Sequence, residues 1–249
     1  MLCGGGKVLN KRLFEIGSGR NTLSDSQLFE RDLLQHLPDV PVLPETLLCM
    51  ELQIHEPAVS LREFSQLLMG DIGATLQVFR LAGNEYGSAS GRPSRIEDCI
   101  SDLGLQACVE VASKQTVTCD ARKGAIVDAW IHARAVAKHC SFWAEETSGT
   151  INPEDAYLVG LFHELGQLPA LLGWDQNGLS LADQAYVGLW MAEEWALPRC
   201  VREYFCEGQT SGPMDPWSAI VDVAHQLVSM SMLESALQNR LRPPSYSVA

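Results

Sequence analysis

The chain has little of what membrane insertion, secretion or nucleic-acid binding would require. In 249 residues no apolar run approaches the ~20 needed to cross a bilayer as a helix. Basic residues are scarce: 18 Lys and Arg stand against 31 Asp and Glu, for a formal charge of −13. A surface of that sign repels phosphate backbones, so nucleic acid is not an expected partner. The eight cysteines include no Cys-x-x-Cys pair, which argues against a cysteine zinc site. The opening Met1-Leu2-Cys3-Gly4-Gly5-Gly6 lacks the charged and apolar regions of a secretory signal. Reduced thiols and a cytoplasmic address are therefore the expectation. Neither Gly4-Gly5-Gly6 nor Gly17-Ser18-Gly19 follows a strand-like run, so neither reads as a phosphate loop. A Gly-x-Ser-x-Gly nucleophile elbow is missing as well.

What is present is a helical pattern. Ser24 with Gln27, Ser60 with Glu63 and Ser94 with Glu97 fit the capping box, in which two side chains satisfy orphan amides reciprocally. Asn152-Pro153 and Asp215-Pro216 place a capping side chain before a proline at the first helical position, and Pro198 opens a helix in the same manner. Ile126, Trp130, Ala133, Ala137, Cys140 and Phe142 or Trp143 line one face of a helix over 121–147. The same reading predicts helices near 24–36, 44–55, 61–69, 73–83, 95–103, 105–113, 154–163, 181–195, 198–206 and 216–239. The alternation in Val109 to Thr118 also suits a strand, but a single strand has no partner, so it is read as helical. The fold class expected is all-α.

The organisation expected is a flexible N-terminal arm over 1–22, a helical domain over 23–240 and a disordered tail over 241–249. Thr118-Cys119-Asp120 divides the domain into an N-terminal lobe (23–120) and a C-terminal lobe (121–240). The first 20 residues carry four cations against Glu15 alone, so the remainder holds −16; a solvated tail is the expected reading of that arm. The apolar face of 23–37 is expected to pack within the chain or against a second copy, which makes a homodimer one of the assemblies in view.

The segment that promises chemistry is Leu158-Val159-Gly160-Leu161-Phe162-His163-Glu164-Leu165-Gly166-Gln167. An apolar helix ends in an imidazole and a carboxylate and is broken by glycine. Neighbouring residues do not share a helix face, yet both reach one ion at a helix end. Trp130-x-His132 lies about thirty residues earlier. The plain alternative is a histidine tied to a backbone carbonyl at a helix end, with His132 a polar tip beside Trp130. His36, His55 and His139 form no spacing that needs explaining, and Trp174, Trp190, Trp195 and Trp217 read as core and interface aromatics.

These pieces in order resemble the HDOD family, the HD-related output domains kin to HD-type metal phosphohydrolases. The likeness runs from Leu37-Pro38-Asp39-Val40-Pro41 through Gly70-Asp71, Leu76 and Asn84. It continues over Ser94-Arg95-Ile96-Glu97 to Leu103-Gly104, then Trp130-x-His132, the His163-Glu164 segment and Gly188 to Pro198, covering roughly 37–206. By that resemblance His132 matches the first metal ligand and His163 the second. Glu164 replaces an aspartate, shifting the carboxylate by roughly 1.5 Å against tolerances near 0.2 Å. His225 falls where a later aspartate is expected. Gln184 and Phe205-Cys206 stand in for histidines of two-metal relatives, and Gln167 for a lysine.

The resemblance therefore implies a regulatory module with signalling proteins as partners, with no catalytic or cofactor-binding residue assigned. Its metal candidates are His132, His163, Glu164 and His225, a vestigial set for which no cofactor beyond a weakly held divalent ion is expected. A metal-dependent phosphohydrolase of nucleotides or cyclic dinucleotides and a small-molecule sensor are the alternatives.

Overall fold

The structure is a computed structural model, and it describes residues 40–86, 94–114, 122–147, 151–174, 181–207 and 215–241. All of these belong to one compact unit over 37–249. The expected arm, the helix at 24–36 with its Ser24 cap, the lobe boundary at 118–120 and the tail beyond 241 lie outside the described residues. Among the described residues the regular structure is helical, as expected, and no helix is long and apolar enough to cross a membrane.

The first group of helices is α1 (Pro44–Ile54), α2 (Leu61–Met69), α3 (Ile72–Tyr86), α4 (Ile96–Leu103) and α5 (Leu105–Ser113). The starts follow the sequence signals in part. Ser60 accepts from the Glu63 amide at 3.4 Å, as the capping box requires. Ser94 does not cap α4: the N-cap is Arg95, which makes no side-chain cap bond. Glu97 is engaged elsewhere, accepting from the Ser65 hydroxyl of α2 at 3.3 Å. Tertiary contact has taken the carboxylate that the box would have used. The ambiguous Val109 stretch is helical through Ser113, and its buried Cys108, Val109 and Ala112 keep helical spacing. Phe64, Leu68, Leu76, Phe79, Ile96 and Ile100 are almost wholly buried and form the core of this lobe.

The second group is α6 (Lys123–Glu146), α7 (Pro153–Phe162), a 3-10 turn (Leu165–Gln167) running into α8 (Leu168–Leu172), α9 (Leu181–Glu194), α10 (Arg199–Glu207) and α11 (Pro216–Leu241). Neither the 3-10 turn nor α8 was expected from periodicity, which such short segments cannot display. The Asn152 carboxamide accepts from the Glu154 and Asp155 amides, and Asp215 from the Ser218 amide at 2.9 Å, so both predicted caps form. Helix α10 begins at Arg199, which places Pro198 ahead of its first turn and not within it. On α6 the predicted stripe is buried except at Phe142, which is exposed while Trp143 is half-buried; Val136 and Ala144 join the buried face. Helix α6 packs extensively against α7 and also against α11, while α9 rests on the 3-10 turn.

The two groups of helices are joined by a buried carboxylate. Asp71, fully buried between α2 and α3, accepts from the Leu43 amide at 2.8 Å, from the Ala74 amide at 3.0 Å and from the Trp130 indole of α6 at 3.0 Å. Burial holds its carboxyl above the usual carboxylate range, and these donors oppose that shift.

Helix α9 ends on a residue that the backbone does not favour. Ala196 has φ 56°, and the bonds from Leu197 N–H to Ala192 O (2.9 Å) and from Ala196 N–H to Glu193 O (3.1 Å) form a Schellman close that normally uses glycine.

Two stability outcomes follow from these bonds. Asp71→Asn keeps the side-chain size but turns an NH₂ towards at least one buried donor, so it should cost about 1–3 kcal/mol. For a chain of this size that is about 2–4 °C of Tm per kcal/mol, read by thermal denaturation. Ala196→Gly, which removes the left-handed penalty, should stabilise by about 1 kcal/mol in a urea titration.

Candidate metal centre

Each of the candidate ligands is positioned by a different part of the second group. His132 sits midway along α6, His163 is the C-cap of α7, Glu164 follows it, and His225 lies on α11. The fold brings all four together: one ligand atom from each lies within 4.8 Å of the others. The ring centroids are 4.8 Å apart for His132 and His225, 5.4 Å for His132 and His163, and 5.6 Å for His163 and His225. Glu164 Oε1 is 3.8 Å from His163 Nε2 and 3.9 Å from His225 Nε2. The Glu164 carboxylate thus lies beside both rings, although the sequence suggested that the extra methylene would displace it.

Two close approaches make the convergence feasible. A Cβ on Gly160 would fall 2.7 Å from the Ala137 Cα, so only glycine lets α7 lie this tightly against α6. A Cβ on Gly166 would fall 1.9 Å from the Gln184 carbonyl oxygen, so the turn after Glu164 is pressed onto α9 by the same device. The His163 segment is thus clamped on both sides by backbone that tolerates no side chain.

The chemistry of His163 follows from this packing. It is 9% exposed, and burial lowers its pKa to about 4, so the ring is neutral at pH 7. Its Nδ1 lies 2.8 Å from the Gly160 carbonyl oxygen, an acceptor only, so Nδ1 carries the proton and donates. The lone pair is therefore on Nε2, which is buried and hydrogen-bonds to nothing. His132, its pKa also lowered by burial, has a buried Nε2 in the same condition. The plain reading of His163, a histidine tied to a carbonyl, is what the structure shows, and that bond also fixes the tautomer a metal ligand would need.

These residues fit a metal. Two buried imidazole nitrogens without a partner, a third imidazole and a carboxylate are the donor types that zinc and other borderline cations take. The absent ligands stay absent. Gln184 and Phe205 border a cavity of about 220 Å³ beside His163 and Glu164, while Cys206 is exposed. That cavity is also bordered by Tyr204, whose phenol burial pushes up, and Ser218. Neither was singled out in the sequence, where no spacing relates them to His163. A second cavity of about 260 Å³ on the other side of Glu164 is walled mainly by Ile72, Ala133, Leu161, Leu165 and Leu168. Cys99, Cys108, Cys140 and Cys200 are buried free thiols, and burial pushes the first three up to about 12, as inert core cysteines should be.

A helical fold that brings three histidines and a carboxylate together fits the class of HD-like helical domains. The family model of the HDOD domain matches residues 40–181, more than half of the chain, and the chain belongs to that family. Two solved structures show the same fold. The MmoQ response regulator from Methylococcus capsulatus aligns with TM-score 0.61 at 16% identity, over 83% of this chain and 87% of that one. A virulence factor from Campylobacter jejuni aligns with TM-score 0.58 at 14% identity, over 81% and 82%. No curated protein matches the sequence.

The lowered pKa of His163 sets a pH dependence for the metal-free protein. An unfolded histidine titrates near 6.5, so between pH 6.5 and 4 the unfolded chain binds the extra proton. The contribution is complete above pH 6.5 and is lost as pH falls through 4, on the order of 3 kcal/mol in total. Urea titrations at pH 7, 5.5 and 4.5 should show a steeper loss in the wild type than in His163→Gln. Parallel slopes would show that the ring does not titrate in this way.

Proposed function

We propose that this HDOD domain is a non-catalytic regulatory module that acts through contacts with signalling proteins, and that its cluster serves as a metal-held brace and not a hydrolytic centre. The observation that carries the reading is the donor count at one point. His132, His163, His225 and Glu164 converge within 4.8 Å. Four protein donors complete the sphere of a structural zinc, whereas a catalytic zinc keeps one position for water. Bound there, a divalent ion would supply charge and ligand bonds linking α6, the end of α7 and α11.

The surroundings support the same reading. A phosphodiesterase must hold a phosphate beside its metal, but the adjoining cavity offers Gln184, Tyr204 and Phe205, with the Glu164 carboxylate facing the ligand's own charge. The MmoQ relative is described as a response regulator, which agrees with a signalling role for this fold. The charge of −13 counts against nucleic acid and suits basic protein surfaces.

One observation favours the phosphohydrolase reading, with nucleotides or cyclic dinucleotides as substrates. Glu164 and His225 are 32% and 43% exposed, so displacement of Glu164 would open a position towards the cavity. Elemental analysis after zinc reconstitution, paired with turnover of bis(p-nitrophenyl) phosphate, separates the two. The expected result is about one equivalent of zinc, lost in His163→Ala, with no turnover. At a hundredfold excess of zinc over Kd the Tm should rise by about 5–10 °C. Turnover that disappears in His163→Ala would overturn the non-catalytic assignment.

A further inference from the structure

Away from the histidine cluster, α2 and α6 leave a groove between them that the start of α7 closes at one end, with a volume of about 630 Å³. Small-ligand sites fall in this size range. Its walls are two helix faces. Arg134, Lys138 and Ser141 succeed one another at helical spacing along α6, and Arg62 and Gln66 do so along α2. The Arg134 guanidinium reaches across to the end of α2, its Nη1 lying 3.8 Å from where a Gly70 Cβ would stand.

The charge of this groove runs against that of the chain. Arg62, Arg134 and Lys138 border it, and among the described residues none of them is in an ion pair. Of the two carboxylates on the rim, Glu154 is taken by Arg95 at 2.8 Å, leaving Glu145. The local balance is thus positive on a protein of net charge −13. Planar guanidinium groups accept phosphate oxygens two at a time, and a lysine adds a point charge. Beside the cations, Leu67, Met69 and the Tyr157 ring supply apolar surface, while the Tyr157 hydroxyl is occupied by donating to the Met69 carbonyl. The two cavities beside Glu164 have the opposite character, with a carboxylate on the wall and no cation.

We propose that this groove binds a small phosphorylated molecule, with the phosphate taken by Arg134, Lys138 and Arg62 and the organic part laid against Leu67, Met69 and Tyr157. The site is independent of the histidine cluster, and it gives the module a ligand input that a brace alone would not provide.

Isothermal titration with inorganic pyrophosphate and with adenosine 5′-monophosphate tests this, with adenosine as the uncharged comparator. Wild-type protein should bind both phosphates saturably at one site and adenosine not at all. Arg134→Gln and Lys138→Gln should each weaken binding by about tenfold. Lys123→Gln, on α6 but outside the groove, should leave it unchanged. Both groove residues are exposed, so unchanged thermal denaturation should confirm that the variants fold. Absence of saturable binding, equal affinity in the double variant, or adenosine binding as well as its monophosphate would each overturn the proposal. So would equal or tighter binding of hexaglutamate, which would assign the groove to an acidic peptide.

Discussion

The buried Asp71 carboxylate is the constraint on which the rest of the arrangement depends. A carboxylate in an apolar interior is tolerated only when its oxygens are matched by donors, and here three segments supply them. The chain entering α1 gives the Leu43 amide, the start of α3 gives the Ala74 amide, and α6 gives the Trp130 indole. Because Trp130 and His132 are two residues apart on one helix, the carboxylate that registers the lobes also sets the position of the first candidate ligand. A packed apolar joint would stabilise as well, but it would not specify one register.

The histidine cluster has a different logic, in which backbone proximity does the positioning. Gly160 draws α7 onto α6, and the carbonyl of that same residue selects the His163 tautomer. The Nε2 atoms of His163 and His132 are buried without a hydrogen-bond partner, an arrangement that folded proteins avoid unless a ligand, a water or an ion is to be met there. The donor set explains why a cation suits the place.

Much of this was legible in the sequence, for identifiable reasons. Long helices such as α6 and α11 announce themselves because apolar residues recur over many turns, and the Asn152 and Asp215 caps are local bonds between near neighbours. The four candidate ligands could be named because the order of motifs resembles the HDOD family; spacing alone would not have linked His132 to His225. What stayed hidden was set by tertiary contact. Glu97 left its predicted capping role for Ser65, and the short turn and helix after Glu164 carry too few residues to show a period. Whether one added methylene in Glu164 breaks the cluster depends on where the turn places its backbone. Arg134 and Lys138 carried no signal in the sequence, because their convergence with Arg62 depends on α2 lying opposite α6.

The two side chains that anchor α6 leave it on opposite sides. Successive residues turn by about 100°, so Trp130 and His132 project about 200° apart around a rod some 36 Å long. Trp130 donates to Asp71, while the His132 ring lies beside those of His163 and His225. Turning this rod about its long axis would break the Trp130 bond to Asp71 and carry the His132 ring away from those of His163 and His225 at once.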